Sequence, residues 1–197
     1  MAYNKIYFPA DAINNHEEFE GWYEDGSLFM TAKSDYASEK SRLYIYSRLG
    51  AEMACIKPDY KVLRYDVRVE RYTYELCPFL IENHYHAKGM LWQMYGSPSK
   101  GHANFINENT KKKDVLITTC PDFKGHGPCF EVKVKDISKL RPAVAFVLAI
   151  LWKEHWKGLS IGELPEKLGI INSIRSSVAE RGLTYEEVMA GKTNPYE

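Results

Sequence analysis

Two stretches of the chain alternate between apolar and charged positions with a period of two. Tyr65, Val67 and Val69 alternate with Asp66, Arg68 and Glu70, and Phe130, Val132 and Val134 alternate with Glu131, Lys133 and Lys135. That period buries one face of a strand and wets the other. Both stretches follow a matching segment, Pro58-Asp59-Tyr60-Lys61 in the first case and Pro121-Asp122-Phe123-Lys124 in the second, so the chain repeats itself with two extra residues between the matched blocks of the second copy. Further strands are predicted at Leu28–Ala32 after the Asp25-Gly26 turn, and at Arg42–Ser47 and Glu52–Lys57. The last two flank Arg48-Leu49-Gly50-Ala51, where Gly50 supplies the positive φ of a hairpin turn. Phe79–Glu82, Gly89–Tyr95, His102–Asn107 and Val115–Thr119 complete the set, with Ser97-Pro98-Ser99-Lys100-Gly101 as a break.

The pattern changes at Leu140. Every residue from Ala143 to Trp152 is apolar, with Arg141-Pro142 before the run and Gly158 after it. Proline in the first turn, glycine past the last, the run's length and its alanines predict a helix rather than a buried strand. A helix apolar on every face must be surrounded by protein or lipid. This run is too short to cross a bilayer, so protein is expected and no transmembrane segment. Ile161–Gly169, Ile170–Arg181 and Tyr185–Ala190 read as further short helices, the last with Thr184 and Glu187 in capping-box spacing.

A lone strand meander leaves open edges and an exposed face. Two related meanders can close on each other, and the resulting barrel needs a filled interior. The repeat and the apolar helix therefore explain each other. The expected fold is mainly β (α+β): a closed antiparallel β-barrel of two meanders around a central helix at about 140–157, forming one domain over 1–157. Residues 158–197 are expected as a C-terminal helical extension.

Composition narrows the function classes. Acidic and basic residues balance at 26 each in a chain of 197, which argues against a dedicated nucleic-acid partner. The N-terminus has no apolar signal-peptide core. The four cysteines form no CxxC pair and no small-domain disulfide pattern, so free thiols in a reducing cytoplasm are expected.

The sequence resembles the tubby C-terminal-like superfamily, in its LURP-one-related and bacterial scramblase-like branch. The residues that carry the likeness are Leu43-Tyr44-Ile45-Tyr46-Ser47-Arg48-Leu49-Gly50, Ala54-Cys55-Ile56-Lys57, Tyr65–Val69, Phe130–Asp136 and Ala145–Trp152. The resemblance implies a repeated hairpin and an apolar helix threaded through a closed barrel of about twelve strands. It also implies basic surface residues that meet phosphoinositide-like headgroups. This chain departs from the family pattern at Ser47, where an aspartate is usual, and in residues 158–197, which have no counterpart there. It also lacks a cysteine-rich palmitoylation cluster and an acidic calcium loop, so scramblase activity is not expected.

Three stretches are candidates for chemistry. Lys111, Lys112 and Lys113 follow Asn107-Glu108-Asn109-Thr110 in an expected hairpin loop, and by the resemblance they are placed to meet an anionic lipid surface, at about 1 kcal/mol per lysine. The plainer alternative is a solvated turn that protects a sheet edge. His84 and His86 point to the same side of a strand and could share a metal, with Glu82 of the same parity and Cys77, His102, Cys120, His126 or Cys129 approaching in space. Two exposed or hydrogen-bonded histidines at a strand end are the alternative. Gly125-His126-Gly127-Pro128-Cys129 could seat an anion or a reactive thiol, or simply be the insertion in the second repeat. The paired carboxylates Glu17, Glu18 and Glu20, and Glu186 with Glu187, read as solvated faces. No phosphate loop, nucleophile elbow or HExxH motif is present, and no cofactor is expected.

The leading expectation is a non-catalytic cytoplasmic binding module with an anionic membrane or a protein as partner. The alternatives are a metal-binding protein or enzyme using His84 and His86, and an interaction or oligomerisation protein acting through the C-terminal helices.

Overall fold

The structure is a computed structural model and describes residues 3–15, 18–34, 42–59, 64–78 and 84–158. Twelve strands follow one another: β1 Asn4–Pro9, β2 Glu18–Tyr23, β3 Leu28–Ser34, β4 Leu43–Ser47, β5 Glu52–Asp59, β6 Arg64–Val69, β7 Tyr72–Pro78, β8 His84–Lys88, β9 Trp92–Ser97, β10 His102–Asn107, β11 Lys113–Cys120 and β12 Cys129–Val134. Each pairs antiparallel with its neighbours in sequence, and β1 pairs with β12 from Asn4↔Val134 to Pro9↔Cys129, closing the barrel. Closure leaves no open edge among these strands. A short helix α1, Ala12–Asn15, lies between β1 and β2, and helix α2, Leu140–Gly158, follows β12.

Because neighbouring strands alternate in direction, the connections sort to two ends. The turns after β2, β4, β6, β8 and β10, and the exit from β12, lie at one end, called the even end. The connections after β1, β3, β5, β7, β9 and β11 lie at the odd end. α2 starts at the even end, where Arg141 pairs with Glu70 of the β6–β7 turn. Farther along, Trp152 packs against Tyr65 with ring centroids 6.1 Å apart, and α2 also contacts α1 and the 3-10 turn Pro98–Lys100 at the odd end. All ten side chains from Ala143 to Trp152 are buried, and Phe146 meets Tyr74 of β7 and Trp92 of β9. They share one core with Ile6, Phe8, Val67, Val69, Val132 and Val134 of the strands.

Several expected elements correspond closely. His102–Asn107 is β10, the apolar run is a helix ending at Gly158, and Gly50 turns the β4–β5 hairpin with φ 78. The two matched strands of the repeat are β6 and β12. The strand expected at Gly89–Tyr95 instead begins at Trp92, because Met90 donates to the Ala87 carbonyl and Gly89 to Leu91 form the turn. Lys113 belongs to β11 rather than to the loop before it. β1, β2 and β7 were not expected. The strand at Phe79–Glu82, apart from its neighbours, and the helices of 159–197 lie outside the described residues.

Gly96 shows what the backbone requires inside a strand. It has φ 91, and a Cβ there would sit 2.6 Å from the His102 carbonyl oxygen, so only glycine lets β9 approach β10 at that point.

Candidate functional site

The lysine loop is built by Asn107, the last residue of β10. Its side-chain oxygen accepts from the backbone N–H of Asn109 and of Thr110, both at 3.0 Å. Its main chain closes the turn, donating to the Lys112 carbonyl at 2.9 Å and accepting from Lys111 N–H at 2.8 Å. An asparagine at this position uses its short side chain to mimic a backbone turn. Lys111 has φ 56, and Lys111, Lys112 and Lys113 are all exposed. None of the three forms an ion pair among the described residues.

The acids beside the lysines are engaged elsewhere. Asp114 accepts from Trp92 Nε1 at 3.0 Å, from Lys139 Nζ at 3.0 Å and from Asn107 Nδ2 at 3.4 Å. Burial alone pushes the Asp114 carboxyl up, but the bonds from Trp92 and Lys139 outweigh it and hold the pKa below the usual value. Glu108 approaches His86 Nε2 at 2.7 Å, and its backbone N–H donates to the Leu91 carbonyl at 2.8 Å. The loop is thereby tied to β8, to the β8–β9 turn and to the segment that leads into α2.

His84 and His86 do share a face of β8, as their spacing requires. His84 stacks on Tyr95, its neighbour across β9, at 4.3 Å. Burial, then the nearby His86, push the His84 pKa down. His86 lies opposite Gln93 on one side and Cys77 on the other. Among the described residues, no group of three or more His, Cys, Asp or Glu side chains is placed to hold a metal ion. Glu82 lies outside the described residues.

The Gly125–Cys129 loop is folded down onto the outer face of β1 and β2. Phe123 stacks on Tyr7 and His126 on Trp22, each at 4.0 Å, while the Asp122 carboxylate accepts from Gly125 N–H and Gly127 N–H at 3.2 and 2.8 Å. Those two amides, which could have cradled an anion, are thus occupied by the chain's own carboxylate. Cys129 is fully buried and burial pushes its thiol up to about 11, the opposite of a reactive thiolate. Beneath it, Tyr7 donates to Glu131 at 2.7 Å, and Thr118 and Lys133 donate to the same carboxylate. Burial pushes Glu131 up, but these partners outweigh it and leave the pKa low. Of the paired carboxylates, Glu18 forms an exposed ion pair with Lys33 at 2.9 Å and Glu20 is exposed. Glu17, Glu186 and Glu187 lie outside the described residues.

The links Glu108–His86 and Asp114–Trp92–Lys139 were not expected from the sequence. The only local hint was an acid on either side of the lysines.

The class defined by this geometry is a mainly β protein: a closed twelve-stranded antiparallel barrel with a C-terminal apolar helix and a basic hairpin loop at one end. No family model and no curated protein matches the sequence. Among solved structures, the X-ray structure of a protein from Arabidopsis thaliana is similar, with a TM-score of 0.52 over 78% of this chain and 91% of that one, at 11% identity. At that identity the likeness concerns the fold alone. No described helix is long and apolar enough to cross a membrane.

Proposed function

We propose that this protein is a non-catalytic cytoplasmic binding module of the tubby C-terminal-like type, in the LURP-one-related and bacterial scramblase-like branch, and that Lys111, Lys112 and Lys113 meet the anionic headgroups of a membrane. The observation that carries the reading is the arrangement of charge. Three consecutive lysines are exposed, Lys111 and Lys112 in the β10–β11 loop and Lys113 at the start of β11, while the acids that flank them, Glu108 and Asp114, are turned to His86 and Lys139. The cations therefore face outward with no neutralising partner among the described residues.

The fold assignment draws support from two further facts. β6 and β12, which carry the matched segments, stand six places apart in a ring of twelve, the spacing expected if two related meanders close on each other. The ten buried side chains of α2 touch strands on several sides, as they would with α2 filling the lumen. A filled lumen would leave the outer surface and the rims for ligand.

Each lysine near an anionic surface contributes about 1 kcal/mol, so three together favour binding by roughly a hundredfold. The test is co-sedimentation of the full chain with phosphatidylcholine vesicles, with and without phosphatidylserine, at low and physiological salt. The expected result is stronger binding to the anionic vesicles, weakened by salt and reduced on changing Lys111, Lys112 and Lys113 to alanine. Binding that ignores phosphatidylserine, or that survives the alanine substitutions undiminished, would overturn the reading.

A further inference from the structure

We propose that the even end of the barrel is an interfacial rim that seats apolar loop tips in a lipid bilayer while the neighbouring cations meet its phosphates. The inference rests on the membrane reading above and deepens it by adding an apolar component and an orientation.

The large exposed apolar side chains of the described residues are Tyr23, Leu49, Tyr72, Leu91, Tyr95 and Ile137; all but Tyr95 stand at the even end, whose connections are all described, whereas 35–41, 60–63 and 79–83 of the odd end are not. Scattered single exposures are ordinary; what sets these apart is that they stand on turns and beside cations. The aliphatic ones sit on tips: Leu49 in the β4–β5 turn is 86% exposed and Ile137, just beyond β12, is 66% exposed. Leu91 in the β8–β9 turn has φ 54, a conformation that favours glycine or asparagine, yet a leucine occupies it with 46% of its surface in water. Neither turn chemistry nor core packing accounts for that choice.

Cations are interleaved with these tips. Arg48 precedes Leu49 and Arg71 precedes Tyr72, with Arg71 held over the Tyr72 ring at 5.1 Å. The lysine loop is joined to Leu91 through the Glu108 N–H. Of the acids at this end, Glu52 pairs with Arg68, Glu70 with Arg141 and Glu24 with Lys5, while Asp25 and Asp136 accept hydrogen bonds from Ser27 and Ser138. Apolar tips at the acyl boundary with Arg and Lys at headgroup level is the arrangement of an interfacial anchor. The tips are separate points around a ring rather than one continuous patch, which suits a flat bilayer better than a protein surface. α2 runs from this end toward the odd end, so its body leaves the rim clear.

The test changes Leu49, Leu91 and Ile137 to serine in the full chain, checks folding by circular dichroism, and titrates phosphatidylcholine/phosphatidylserine vesicles at several salt concentrations. The tip variant is expected to bind about tenfold or more weakly while keeping the wild-type salt dependence, because the cations remain. Lys111, Lys112 and Lys113 to alanine should instead flatten the salt dependence. A single Leu49→Trp should tighten binding, since tryptophan favours the interface. Tip-variant binding equal to wild type would overturn the rim while leaving the lysine reading intact; loss in the tip variant with no effect of the lysine change would sink the lysine reading and keep the rim. A wild-type chain that ignores vesicles overturns both. If it also elutes as a dimer that the serine changes dissolve, the rim belongs to a second copy of the chain.

Discussion

Asp114 joins three parts of the chain at one carboxylate. Trp92 and Lys139 reach it from 22 and 25 residues away, and Asn107 reaches it across the lysine loop. Its pKa is low in the folded chain because those bonds outweigh its burial. The stability it contributes is therefore complete above the unfolded carboxyl pKa, near 4, and is lost as pH falls through the lower folded value. Asp114→Asn should destabilise the protein at neutral pH by about 1.5–3 kcal/mol, the range for a hydrogen bond to a charged group. Urea unfolding as a function of pH checks this, and the gap from wild type should close on the acid side. A gap that stays constant across that range would show that ionisation is not what holds the site. At this scale the sequence is half legible. Lys111–Lys113 could be located from it, since turn residues and side-chain type are local properties. The partners of Asp114 and the Glu108–His86 contact could not, because strand register decides them.

Among the elements, the clearly alternating strands and the capped apolar helix are the readable ones. β6, β10 and β12 alternate, and α2 is bounded by Pro142 and Gly158. β1 is not legible because both faces of its middle are covered. Ile6 and Phe8 enter the main core while Tyr7 and Trp22 pack outside against Phe123, so Ile6-Tyr7-Phe8 shows no alternation. The covering segment is the Gly-rich loop that resembled an anion site in isolation. In the proposed arrangement α2 fills the barrel lumen, and Phe146, fully buried against Tyr74 and Trp92, is its most sensitive position. Phe146→Asp should unfold the protein or leave it insoluble, because an unpaired buried charge costs several kcal/mol. Thermal melting followed by circular dichroism reads the outcome, with Phe146→Leu as the mild control. A soluble Phe146→Asp chain melting near wild type would rule out a helix in the lumen.

For the whole molecule, closure is the decisive event. β1 and β12 lie at opposite ends of the strand sequence yet pair over six residues on each side. The repeat suggested closure, but neither composition nor periodicity could give the strand count or bring Asn4 to Val134. Closure also gathers the even turns into one rim, which is how Leu49, Leu91, Lys111 and Ile137, scattered along the sequence, come to one end. The measurement that tests this account most directly is hydrogen–deuterium exchange of the full chain with and without phosphatidylserine-containing vesicles. New protection is predicted at the even end, in 48–51, 89–91, 108–113 and 137–139, with none gained in the outer loop 121–128. Protection confined to 121–128 or to the His84–His86 face, with the even end unchanged, would contradict it.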